Sequence, residues 1–114
     1  MKIYHLKSCD TCRKAIKALQ AAGHAPDLHD VRADGLDATT LSNLENALGY
    51  EALVNKRSTT WRGLSDDQKD ELDRETALDL LEKNPTLMKR PVIEHQGAIT
   101  IGWTKAVQGI YGVA

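Results

Sequence analysis

Residues Lys2–Gly23, KIYHLKSCDTCRKAIKALQAAG, decide how the rest of the chain is read. Lys2 to Leu6 reads as a strand, because Ile3 and Leu6 are apolar and Tyr4 suits a sheet. Cys9 and Cys12 follow at once. Cys12, Ala15, Ile16, Leu19 and Ala22 then recur at helical spacing, with Arg13, Lys14, Lys17 and Gln20 on the intervening side. Gly23 supplies the stop. Ala25 to Val31 reads as a second short strand with Leu28 as its main apolar anchor. Strand, helix and strand within about 30 residues make a βαβ unit, which is usually parallel and right-handed.

Downstream the period changes. From Asp37 to Lys83 the pattern is helical, broken by a loop. Leu41, Leu44 and Leu48 share a face, Gly49 ends that helix, and Ala52 to Val54 adds a turn. Asn55 to Gly63, polar and rich in Ser, Thr and Arg, reads as a loop. Ser65 with Gln68 forms a capping box that opens a helix through Leu72. Leu78 and Leu81 anchor another helix, stopped near Asn84-Pro85. Pro91 to Glu94 and Ala98 to Ile101 read as two strands joined by a tight turn at Gln96-Gly97. Thr104 caps a last helix bearing Val107 and Ile110. The order is therefore β-α-β, a helical insert at about 37–84, then β-β-α, within one domain spanning residues 1–114.

Composition narrows the function. A chain of 114 residues makes one domain and needs neither a disulfide nor a metal to fold. Fifteen bases against sixteen acids argue against a protein that binds nucleic acid by neutralising phosphates. The lack of phenylalanine disfavours a base-stacking platform. No apolar run approaches the ~20 residues of a membrane span. The opening MKIYHLKSCD lacks the apolar core of a signal peptide. A cytoplasmic monomer is expected. The charge is uneven, however: Leu64 to Asn84 carries eight acids and three bases, a balance of −5, which leaves +4 elsewhere. That segment reads as a solvated acidic face, and the basic remainder as the surround of an anionic site.

The cysteine pair carries the chemistry. Cys9 falls where a strand gives way to a helix, and a helix N-terminus favours negative charge. The thiolate is the reactive form of cysteine, and such positions lower its pKa. Cys12 stands one turn later, within reach to resolve a mixed disulfide. It also lies on the apolar face, so a packing role fits it better than it fits Cys9. A disulfide closing so small a loop would contribute only about 2 kcal/mol. No second C-x-x-C accompanies the pair, and His5, His24, His29 and His95 read as surface or structural, so no metal is expected. A C-x-x-C opening the helix of a βαβ unit points to redox chemistry.

The segment YHLKSCDTCRKA, Tyr4–Ala15, resembles the N-terminal motif of the arsenate-reductase-like family of thioredoxin-fold proteins. NPTLMKRPVI, Asn84–Ile93, resembles that family's second motif, an Arg-Pro pair opening a strand. HDVRADGLDATTLSNLENALGYEALVNKRSTTWRGL, His29–Leu64, is similar to the YffB and Spx branch. Essentially the whole chain is covered. The resemblance implies an α/β fold with a thioredoxin-like mixed four-stranded sheet and a helical insert between the second and third strands. It implies Cys9 as nucleophile, Arg90 as an anion-binding or thiolate-stabilising group, and Pro91 as a cis proline beside the sulfur. Arg57 matches an earlier basic residue facing the site.

Two functions follow from that likeness. The first is a cytosolic thiol–disulfide reductase with no bound cofactor and glutathione as co-substrate, Cys12 being the resolving thiol. The second is a Spx-like redox switch that binds the alpha subunit of RNA polymerase. Arsenate reduction is disfavoured. The family's arsenate reductases carry a third arginine after the last strand, where this chain has Gly102 and Trp103. Lys105 supplies charge there but no planar bidentate donor.

Overall fold

The structure is a computed structural model that describes Met1–Val113. In chain order the elements are β1 (Lys2–His5), α1 (Asp10–Ala21), β2 (Asp27–Asp30), α2 (Val31–Asp34), α3 (Ala38–Leu48) and α4 (Tyr50–Leu53). There follow α5 (Thr59–Arg62), α6 (Asp66–Asp70), α7 (Arg74–Lys83), a 3-10 turn at Pro85–Leu87, β3 (Val92–His95), β4 (Ala98–Ile101) and α8 (Lys105–Ile110). They fall into two compact units. One is Met1–Asp34 with the chain from Arg90 onward, and the other is Gly35–Lys89.

The first unit holds the sheet, ordered β2-β1-β3-β4. β1 pairs β2 in parallel and β3 antiparallel, and β3 pairs β4 antiparallel. This is the mixed four-stranded, thioredoxin-like arrangement expected. Ile3, Ala15, Leu19, Ile93, Val107 and Tyr111 form its buried cluster, drawing on β1, α1, β3 and the α8 segment. The hairpin turn places Gln96 at φ 50° and Gly97 at φ 82°. Two successive positive φ values match the right-handed twist of the flanking strands.

Two apolar assignments change. Leu28 is 48% exposed, because β2 is an edge strand and Asp30 is its one buried residue. Ile110 is 60% exposed, because Tyr111, four residues after Val107, takes the core position.

In the second unit, caps mark the helix starts. The Asp37 side chain accepts the Thr40 N–H at 2.7 Å to open α3. Gly49, at φ 82°, ends α3 in a region that other residues rarely adopt. The stretch read as a loop, Asn55 to Gly63, contains α5. Ser58 starts it by accepting the Trp61 N–H at 3.1 Å, a cap hidden among other polar residues. The Ser65–Gln68 capping box is present, but α6 stops at Asp70, short of Leu72. Leu41, Leu44, Leu53, Ala77, Leu80, Leu81 and Leu87 are buried, while Leu78 is only partly so. The eight acids between Leu64 and Asn84 are all exposed, as a solvated face requires. By formal charge the sheet unit carries eight bases and five acids, +3, and the helical unit seven and eleven, −4.

Candidate active site

The site begins with a turn. The Cys9 N–H donates to the Leu6 carbonyl at 3.0 Å, and the Arg13 N–H donates to the Cys9 carbonyl at 3.0 Å. Cys9 is thereby the N-cap of α1, in extended conformation, with no side-chain capping bond of its own. Its sulfur is thus available to other donors at the positive end of a 12-residue helix. Cys12 is fully buried, whereas Cys9 is half-buried, and both are free thiols.

Antiparallel pairing of β1 with β3 brings the start of β3 to the end of β1, and so brings Arg90 to Cys9. Burial opposes ionisation of Cys9. The Cys12 backbone N–H and thiol, with the charge and hydrogen bond of Arg90, outweigh it and hold the Cys9 pKa below the ordinary thiol value. Cys12 goes the other way. Burial pushes its thiol up to about 12, and the neighbouring Cys9 adds to the rise against a backbone hydrogen bond with Leu6. One sulfur is thus poised to ionise and the other to keep its proton, the division a nucleophile and its hydrogen-bond donor require.

The Arg90–Pro91 peptide is cis and Pro91 is buried. The Pro91 carbonyl accepts the Gly102 N–H at 2.9 Å, which anchors the segment after β4. Gly102 sits at φ 83°, and Trp103 packs at the edge of the apolar cluster. The segment where an arginine is expected therefore holds a left-handed glycine and an apolar ring. Arg57 belongs to the helical unit, exposed, its N–H donating to the Asn55 side chain at 3.1 Å.

Two residues at the site were not singled out by sequence. His5 and Asp30 are buried and face each other at the ends of β1 and β2. The Asp30 carboxylate accepts the N–H groups of Arg32 at 2.9 Å and Ala33 at 3.0 Å, and also that of Lys7. It therefore caps α2 and ties the cysteine turn to β2. An Asp just before a short helical stretch is a cap signal, so this half of its role was legible. Burial lowers the His5 pKa, with Asp30 pulling against it.

The spacing of Cys9, Cys12, His24 and His29 is C-x2-C followed by H-x4-H, which suits zinc. The fold does not gather these residues. The His24 ring bonds the Tyr111 carbonyl at 2.7 Å and meets His95 edge-on, while His29 packs on Tyr4. Among the described residues, no group of three or more His, Cys, Asp or Glu is placed to hold a metal ion. Nor is any helix there long and apolar enough to cross a membrane.

A thioredoxin-like sheet with a cysteine pair at the head of its first helix and a cis Arg-Pro beside it defines a class of protein. Within that class the chain belongs to the ArsC family, whose model matches residues 4–108. It is 48% identical over 103 residues to an uncharacterised Haemophilus influenzae protein, covering 90% of each chain. It is 30% identical to the global transcriptional regulator Spx of Streptococcus agalactiae, covering 86% of this chain and 72% of Spx. The solved structure of a YffB protein superposes with a TM-score of 0.91 at 33% identity, covering 96% of both chains.

Proposed function

We infer that the protein is a thiol–disulfide reductase that draws its electrons from glutathione. One observation carries the reading: Cys9 caps α1 with its pKa lowered, while the buried Cys12 donates to it with its own pKa raised. The Cys9 thiolate attacks a substrate disulfide, forming a mixed disulfide and releasing one thiolate, which takes a proton. Cys12 then loses its proton and attacks the Cys9 sulfur. The Cys9–Cys12 disulfide forms and the second substrate thiolate leaves. Two glutathione molecules restore both thiols and are oxidised to glutathione disulfide. Arg90 holds Cys9 ionised, and Arg90 with the Pro91 backbone receives the partner. Arsenate reduction is the weaker variant, since neither Gly102 nor Trp103 supplies a cationic donor.

The test is glutathione-linked disulfide reduction by the wild type, Cys9→Ser and Cys12→Ser. Cys9→Ser is expected to be inactive, and full activity in that variant would overturn the reading. Loss in Cys12→Ser supports the dithiol route, and retention supports a monothiol one.

A second reading rests on the 30% identity to Spx. There, oxidation of Cys9 and Cys12 changes a binding surface for the alpha subunit of RNA polymerase in place of turnover. A pull-down with the alpha C-terminal domain, with and without oxidant, separates the two. Binding that ignores oxidant, or no binding, counts against the switch.

A further inference from the structure

The carboxyl ends of β1 and β2 open into a crevice of about 410 Å³, lined by Leu6, Lys7, Ser8, Asp30, Arg32 and Ala33. It adjoins the site, because Lys7 and Ser8 belong to the turn that ends in Cys9. Its volume lies within the range of small-molecule sites, and crevices at the carboxyl ends of parallel strands are where α/β sheets bind ligands. Its one acid is already engaged. Asp30 is buried and its carboxylate is taken up by backbone N–H groups, those of Lys7, Arg32 and Ala33. Asp34, on α2, accepts the Asp30 N–H at 3.2 Å. Lys7 and Arg32 are exposed, and among the described residues neither side chain is held in an ion pair. Two cations and the Ser8 hydroxyl therefore rim a crevice whose one lining acid, Asp30, is held by backbone N–H groups.

We propose that this crevice binds a carboxylate of the thiol co-substrate, with Arg32 and Lys7 as its recognition groups. The proposal rests on the reductase reading and names where the acidic peptide thiol lies. A tripeptide joined to Cys9 through its central sulfur carries carboxylates about one residue away on either side. A residue spans about 3.3–3.6 Å, and Ser8 is the immediate neighbour of Cys9. Guanidinium and ammonium groups beside a hydroxyl suit such a terminus.

The test uses S-methylglutathione, which has no free thiol, in a titration followed by amide NMR. Shifts are expected at Lys7, Ser8, Arg32 and Ala33, with affinity about fivefold weaker in Arg32→Ala and largely restored in Arg32→Lys. The dimethyl ester of the ligand should bind the wild type about fivefold more weakly, with a smaller loss in Arg32→Ala. Shifts confined elsewhere, or equal ester effects in the two proteins, would overturn the crevice. This titration involves no sulfur chemistry. Full activity in Cys9→Ser would sink the reductase reading, and the titration would still decide the crevice.

Discussion

Cys12 lies fully buried one turn after Cys9, and its backbone N–H and thiol, close to the Cys9 sulfur, act to hold the Cys9 pKa below the ordinary thiol value. The same contact lowers one pKa and raises the other. It divides two chemically identical groups into a nucleophile and a proton-holding partner.

Alkylation should expose that division. Under native reducing conditions at neutral pH, iodoacetamide is expected to modify Cys9 alone, and both cysteines once the chain is unfolded. Thiolate absorbance near 240 nm should show Cys9 ionising first. Cys12→Ala and Arg90→Ala should each move its titration toward higher pH, since each removes a group that stabilises the thiolate. Native modification of Cys12 first would contradict this order.

Stability of the reduced protein should fall at alkaline pH. Between the ordinary thiol value of 9.0 and about 12, unfolded Cys12 gives up its proton while the folded residue keeps it. The folded state then binds more protons, so stability declines across that window. Cys9 acts in the opposite sense. Its lowered pKa contributes stability above the ordinary thiol value, and this is lost as pH falls through the folded value. Urea midpoints measured with reductant from pH 8 to 11 should drop, and Cys12→Ala should flatten the drop.

Asp30→Ala should destabilise the protein by about 0.5–2 kcal/mol, because the N–H groups of Lys7, Arg32 and Ala33 lose the carboxylate that caps α2 and holds the cysteine turn. The Ala33 N–H, against the opposing effect of burial and together with the other backbone donors, holds the Asp30 pKa below 3.8. Its contribution is thus present above that value and fades as pH falls through the folded pKa. Chemical denaturation of the variant at pH 7, and of the wild type on acidification, measures both.

Placing an arginine where the family's arsenate reductases have one is expected to separate backbone from chemistry. Gly102→Arg should cost about 1–2 kcal/mol, since Gly102 holds φ 83° while donating to Pro91. Trp103→Arg leaves that backbone alone but removes a ring from the edge of the apolar cluster. Neither variant is expected to lose thiol transfer entirely. Arsenate assays alongside thermal melts show whether charge or conformation limits the site.

Ile93→Ala should cost about 2–5 kcal/mol, because Ile93 is fully buried in a cluster fed by β1, α1 and the α8 segment. Thermal unfolding followed by circular dichroism gives the value. A cost below about 1 kcal/mol would mean that the cluster collapses around the gap.

Most of the fold was legible because its signals are local. The period-3.6 face of Cys12, Ala15 and Leu19, the Ser65–Gln68 box, the Gln96-Gly97 turn and the Thr104 cap each act within a turn or two. Leu28 and Ile110 were misread because burial depends on what an element meets, and composition does not reveal which strand lies at the edge. Ser58 was overlooked because a cap followed by a single turn has no apolar period to announce it. Asp30 was legible as a cap for α2, but its hold on Lys7 was not, because that bond crosses from β2 to the turn after β1.

The chain alone established the coarse order β-α-β, helical insert, β-β-α, the place of Cys9 at a strand-to-helix junction and the spacing that lets Cys12 serve it, since all of these depend on neighbours in sequence. Tertiary structure decided the rest. The order β2-β1-β3-β4 sets Arg90 beside Cys9, buries Cys12 until its thiol holds its proton to about pH 12, and opens the crevice rimmed by Lys7 and Arg32. Desolvation and Coulomb forces act through space, so charge and burial at the sulfur exist only once distant strands have paired.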